Sequence, residues 1–190
     1  MKKIGILCLA LVLALGSLGV GYAMWFEDLY IQGTVNTGEV YGYWSACYCF
    51  DNGLDPNPDG TNKGKDVGST VCSIDPVDPR ILHITVTNGY PCYWNDCEVE
   101  YTIGGTVPVI IEDINITPGP GLTLASAYGA NDGQLWVKVV DGISLQLHPG
   151  DPTAQSFKIH VEQCAAQGAT YTFTVTNKLV QYNESIYFPD

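Results

Sequence analysis

The chain has 190 residues, 46% of them hydrophobic, and sets 8 basic side chains against 20 acidic ones for a formal charge of −12. That length suits one domain with a real core rather than two. Such acidity argues against nucleic acid as a partner, because a polyphosphate needs cations to neutralise it; it suits solubility outside a cell or the binding of divalent cations.

In chain order, Lys2 and Lys3 precede a charge-free apolar run from Ile4 to Val20, closed by Gly21-Tyr22-Ala23. Charged, apolar and small residues in that order predict a signal-peptide helix over 1–23, cut after Ala23 by signal peptidase. The alternative is a retained anchor, since the run approaches the roughly 20 residues that span a bilayer. Cleavage predicts a secreted or cell-surface domain over 24–190, with no stable membrane span and a charge of about −14 once both lysines leave.

Period-two alternation, the pattern of half-buried strands, then recurs to the end of the chain. Leu29, Ile31, Gly33 and Val35 share one parity. Tyr41, Tyr43, Trp44, Tyr48 and Phe50 make an aromatic strand that is apolar on both faces, one for the core and one for contact. Residues 51–80, rich in Asp, Pro, Gly and Asn, read as a long ordered loop. Leu82, Ile84 and Val86 follow, then Val99, Tyr101 and Ile103, then Val107, Val109 and Ile111. The last sets are Ile143, Leu145 and Leu147, then Phe157, Ile159 and Val161, then Tyr171, Phe173 and Val175. Gly104-Gly105, Pro118-Gly119-Pro120-Gly121, Asn131-Asp132-Gly133, Pro149-Gly150 and Gln167-Gly168 supply the turns. Together they predict an all-β fold: a jelly-roll or Ig-like antiparallel β-sandwich, with no helix after the signal.

Six cysteines follow the apolar leader: Cys47, Cys49, Cys72, Cys92, Cys97 and Cys164. An even count in an exported chain predicts disulfides, with the pairing left open, and five of the six would staple the 51–80 loop to the sheets. A metal site of Cys47, Cys49, Cys92 and Cys97 is disfavoured because C-x-C and C-x4-C are not the paired C-x2-C spacing of zinc ribbons.

Inside the loop, Asp55, Asn57, Asp59 and Asp66 fall at positions 1, 3, 5 and 12 of a calcium-loop pattern, with Gly60 at 6 and Thr61 at 7. Alternate side chains would point inward and the glycine would permit the bend. Two prolines, Lys63 at position 9, Asp rather than Glu at 12 and the lack of flanking helices count against it, so no cofactor is expected, with calcium at this loop as the alternative. Trp44, Trp94 and Trp136 could each stack on a sugar ring, although nothing spaces them as a platform. His83, His148 and His160 sit on separate strands, two of them on expected solvent faces. With no zinc-protease helix and no nucleophile elbow, catalytic residues are not expected. Asn115 and Asn183 head N-glycosylation sequons, usable where the host has the machinery.

The junction Gly21-Tyr22-Ala23-Met24-Trp25-Phe26-Glu27-Asp28, with Asn36-Thr37-Gly38-Glu39-Val40 after it, resembles the start of TasA/camelysin-type proteins. Ile84-Thr85-Val86-Thr87-Asn88-Gly89, Gly105-Thr106-Val107-Pro108-Val109 and Leu147-His148-Pro149-Gly150 before Phe157-Lys158-Ile159 are similar to later motifs of that family. The cysteines and the 51–80 loop depart from its bacterial members, so an outlying branch is the better comparison. The resemblance implies a jelly-roll-like sandwich that polymerises into extracellular or biofilm-matrix filaments, the N-terminal segment of one subunit completing a sheet of the next. The donor would be roughly residues 24–36, with Leu29, Ile31 and Val35 filling the neighbour's groove and Gly33 allowing close approach. Its partner would be itself, head to tail. The alternatives are an intramolecular first strand, and a monomeric cell-surface domain that binds calcium or glycan.

Overall fold

A computed structural model of the chain describes residues 2–23, 32–51, 54–57, 59, 61, 64–141 and 146–182. It divides into two compact units, Met1–Thr37 and Gly38–Asp190. In the first, Lys2–Ala23 forms helix α1, as a charge-free run of Leu, Ala and Ile favours. Among the described residues, no helix is long and apolar enough to cross a membrane.

The second unit is a β-sandwich of eight antiparallel strands: β1 (Gly42–Cys49), β2 (Ser69–Ile74), β3 (Leu82–Gly89), β4 (Trp94–Ile103), β5 (Val109–Pro118), β6 (Leu135–Asp141), β7 (Pro152–Val161) and β8 (Ala169–Gln181). One sheet has the order β1-β4-β7-β6 and the other β2-β3-β8-β5. Only β2–β3 and β6–β7 are consecutive neighbours within a sheet; every other connection passes from one sheet to the other. Neighbouring side chains on an inner face therefore come from distant parts of the sequence.

The period-two sets fill the space between the sheets. Leu82, Ile84 and Val86 on β3, Val99, Tyr101 and Ile103 on β4, Phe157, Ile159 and Val161 on β7 and Tyr171, Phe173 and Val175 on β8 are all buried. Trp44 is the largest side chain of this core, edge-on to Tyr101 at 4.8 Å between ring centroids, and its Nε1–H donates to Arg80 O at 3.0 Å.

Two β-bulges decide which residues join that core. One between Trp44 and Ala46 moves the inward parity of β1 from even to odd positions, so Trp44 and Cys49 both face in while Tyr48 and Phe50 are exposed. The two-faced apolar character of 41–50 is thus one core face that changes parity midway. The other bulge, between Ile111 and Asp113, lets Val109 and Ile111 and then Ile114 and Ile116 pack on the core, and β5 runs on to Pro118.

Several sequence expectations are corrected. The 51–80 segment is not all loop, because Ser69–Ile74 is a strand paired with β3. Leu135–Asp141 is a further strand, outside the alternating sets named from the sequence. The described residues 32–41 join no strand, so the alternation that begins at Leu29 does not continue there as part of either sheet. The expected strand at 143–147 lies largely outside the described residues; Leu147 makes a single bridge to Val109. Gly105 closes the turn before β5 where an added Cβ would stand 2.3 Å from Glu39 O, so only glycine fits.

Candidate functional site

Strand register sets three aromatic rings side by side on the outer face of the first sheet. Trp94 on β4 pairs with His160 on β7, which pairs with Trp136 on β6. Trp94 and Trp136 meet edge to face at 6.0 Å, and Trp94 lies 4.6 Å from the His160 ring. Tyr128, from the connection between β5 and β6, closes over them at 4.8 Å from His160, 5.2 Å from Trp94 and 5.6 Å from Trp136 while staying 58% exposed.

Glu162, just past the end of β7, holds that connection in place. Its Oε1 accepts the Gly129 backbone N–H at 2.9 Å and stands 3.1 Å from His160 Nδ1. Its own N–H donates to Gln134 O at 2.9 Å, and the next N–H, of Gln163, donates to Asn131 Oδ1 at 3.1 Å. Asn131 takes a left-handed φ of 55°, a conformation that asparagine tolerates. At Gly133 a Cβ would come within 2.5 Å of Ala125 N, so the returning chain has room for no side chain. The result is a small aromatic platform outside the main core, seated on a buried His–Glu pair. Amphipathic rings of this kind stack on the apolar face of a sugar or anchor a protein partner. The expectation that His160 faces solvent is corrected, since it is only 3% exposed: alternation does place it on the outer face, but Tyr128 and the two tryptophans cover it. So is the view that nothing spaces Trp94 and Trp136 as a platform. Trp44 lies apart from them, in the core.

The calcium-pattern residues form a loop that is tied down by its own hydrogen bonds. Asp55 is fully buried, and its carboxylate accepts the N–H groups of Val67 and Gly68 at 3.1–3.2 Å. Burial first, and then the neighbouring Asp55 carboxylate, hold the Tyr90 phenol well above its ordinary range. Asn57 Nδ2 donates to Thr61 Oγ1, Asp59 accepts both the N–H and the hydroxyl of Thr61, and Asp66 is exposed. Gly60 and Lys63 lie outside the described residues. Among the described residues, no group of three or more His, Cys, Asp or Glu side chains is placed to hold a metal ion. Nearby, Asp51 accepts the Thr70 N–H at 2.7 Å and the Tyr93 hydroxyl proton; burial pushes its carboxyl above the ordinary value, against those two hydrogen bonds.

Of the cysteines, Cys49 and Cys97 form a disulfide between facing residues of β1 and β4. Cys47 and Cys72 are half-buried and pack against the core from β1 and β2. Cys92 Sγ accepts from Gln163 Nε2 at 2.6 Å, and Cys164 Sγ donates to Gly133 O at 3.0 Å. Of the donor-strand residues, Leu29 and Ile31 lie outside the described residues; Gly33 has open space around its Cα and Val35 is 85% exposed. Asn115 is exposed on β5, and Asn183 lies outside the described residues. His83 pairs with Asp75 at 3.0 Å, and His148 is exposed in the turn before β7.

No family model matches the chain, and neither a curated protein nor a solved structure does so. The fold and the residues themselves therefore carry the functional reading.

Proposed function

We propose that the chain is an exported structural subunit of an extracellular filament or biofilm-matrix fibre, released from its leader by signal peptidase and joined head to tail by N-terminal donor strands. The observation that carries this is the state of residues 32–40, which are exposed and outside every strand although the alternation leading into them is that of a strand. An exposed stretch outside its own sheets, such as 32–40, is what strand donation needs. A receptor is available as well. Beyond the bridge at Val109, no strand among the described residues lies along the outer edge of β5, and an open edge is a template for an added strand. A donor segment and a receiving edge drawn from different parts of the chain make a heterologous contact, which grows into a fibre.

Electron microscopy of the protein beginning at Met24 tests the proposal. Uniform filaments that disappear when residues 24–36 are deleted, while the shortened protein stays soluble, are expected. Monodisperse particles at every concentration would overturn it.

A second reading, a monomeric glycan-binding module, draws on the Trp94–Tyr128–Trp136 platform. It predicts calorimetric binding to one of a panel of soluble polysaccharides, abolished by Trp136→Ala. Its calcium variant predicts a melting temperature that differs between calcium and a chelator.

A further inference from the structure

Cys47 and Cys72 lie on different sheets. On β1, past the bulge, odd positions point inward: Cys47 pairs with the buried Val99, and Cys49 with the buried Cys97. On β2 even positions do so: Cys72 pairs with the buried Ile84, two residues from the buried Thr70. Both cysteines pack on the core from opposite sheets, and β1 and β2 are the edge strands on the same side of the sandwich, where they contact one another.

We infer that Cys47 and Cys72 form a second disulfide that ties the two sheets together at this edge. Cys49–Cys97 joins neighbouring strands of one sheet that already share a hydrogen-bond ladder. A Cys47–Cys72 bridge would add a covalent tie between layers otherwise held by packing, and it would close a loop containing Asp51, Asp55, Asp59 and Asp66. In the unfolded chain such a link removes conformational freedom that folding would otherwise have to overcome.

The chemistry is a two-electron oxidation: two thiols lose two protons and two electrons, and an exported oxidoreductase in its disulfide form accepts them and becomes a dithiol. One cysteine attacks the oxidant's disulfide as thiolate to give a mixed disulfide, and the other then displaces the oxidant. Burial raises the pKa of Cys72, with the Cys47 thiol adding to the effect. Bridging β1 to β2 would also pin the two edge strands on the side of the sandwich away from the β5 edge; the bearing of this on strand addition rests on the filament proposal, whereas the disulfide does not.

The test is mass spectrometry of the full protein purified from an oxidising compartment, its free thiols alkylated under denaturing conditions before digestion without reduction. Chymotryptic cleavage after Tyr48 separates Cys47 from Cys49, so the pairs can be told apart. A Cys47–Cys72 cross-linked peptide beside the Cys49–Cys97 one is expected, and Cys47→Ser should leave Cys72 alkylated. Alkylated Cys47 and Cys72 in the unreduced wild-type protein, or either of them joined to another cysteine, would overturn the assignment whether or not filaments form. Because the decisive reading is taken on the wild type, a variant that fails to fold does not obscure it.

Discussion

His160 and Glu162 meet through a 3.1 Å Nδ1···Oε1 contact with side chains only 4% and 1% exposed, and Glu162 also accepts the backbone N–H that carries the Tyr128 turn. Removing one member of a buried pair leaves the other polar group without its partner. Glu162→Ala is expected to lower unfolding free energy by about 3 kcal/mol in urea titration. It should also shift tryptophan emission, because Trp94 and Trp136 lose the turn that covers them. Glu162→Gln, which keeps an acceptor for Gly129, should cost less.

Trp44 tests the core. It is 1% exposed, packs on Tyr101 and Phe157, and satisfies Arg80 O. Trp44→Ala is expected to cost about 3–5 kcal/mol through the cavity it leaves. Trp44→Phe keeps most of the volume but loses the indole donor, and should cost roughly 1–2 kcal/mol in the same titration.

Asp55 tests the loop. Its carboxylate accepts two buried or half-buried backbone N–H groups. Asp55→Ala strands them, at a cost of about 2 kcal/mol. The Asp-rich segment should become the first site of limited proteolysis, while the circular dichroism of the sandwich is retained. Unchanged cleavage kinetics would argue against Asp55 as the clip.

Acid stability should separate two aspartates. The Asp78 N–H, then His83 and the Val77 N–H, lower the Asp75 pKa from 3.8 to about 2. Its contribution is therefore complete above the unfolded value near 3.8 and is lost as pH falls through about 2. Asp51 is shifted the other way, by burial, so its ionisation opposes folding as pH rises from 3.8 through its raised pKa. Melting curves between pH 2 and pH 6 should show a shallower acid limb for Asp75→Asn and a steeper one for Asp51→Asn.

Regular strands were the most legible part of the sequence. Leu82-Ile84-Val86 and Phe157-Ile159-Val161 needed only a period of two to be assigned to the core. The bulged strands were harder, because the extra residue at Trp44/Ala46 or Ile111/Asp113 reverses parity and makes one face look like two. β2 was hidden by composition: it is short, with Ser, Thr and Cys at its positions, and follows a Pro- and Asp-rich segment. β6 carried a plain signal in Leu135, Val137 and Val139, flanked by Asn131-Asp132-Gly133 and by the apolar set that begins at Ile143.

The sequence by itself determined the all-β class and most inward-facing residues, because alternation is a property of each strand and depends on nothing distant. Only the tertiary structure decided that Trp94, Tyr128 and Trp136 converge, that His160 is covered, that Cys49 meets Cys97, and that Cys47 and Cys72 lie on edge strands of opposite sheets that contact one another. Those contacts join residues 8 to 66 positions apart, and their formation depends on strand order, register and bulges. None of these can be read from local spacing, since the same alternating strands could be laid side by side in many other orders.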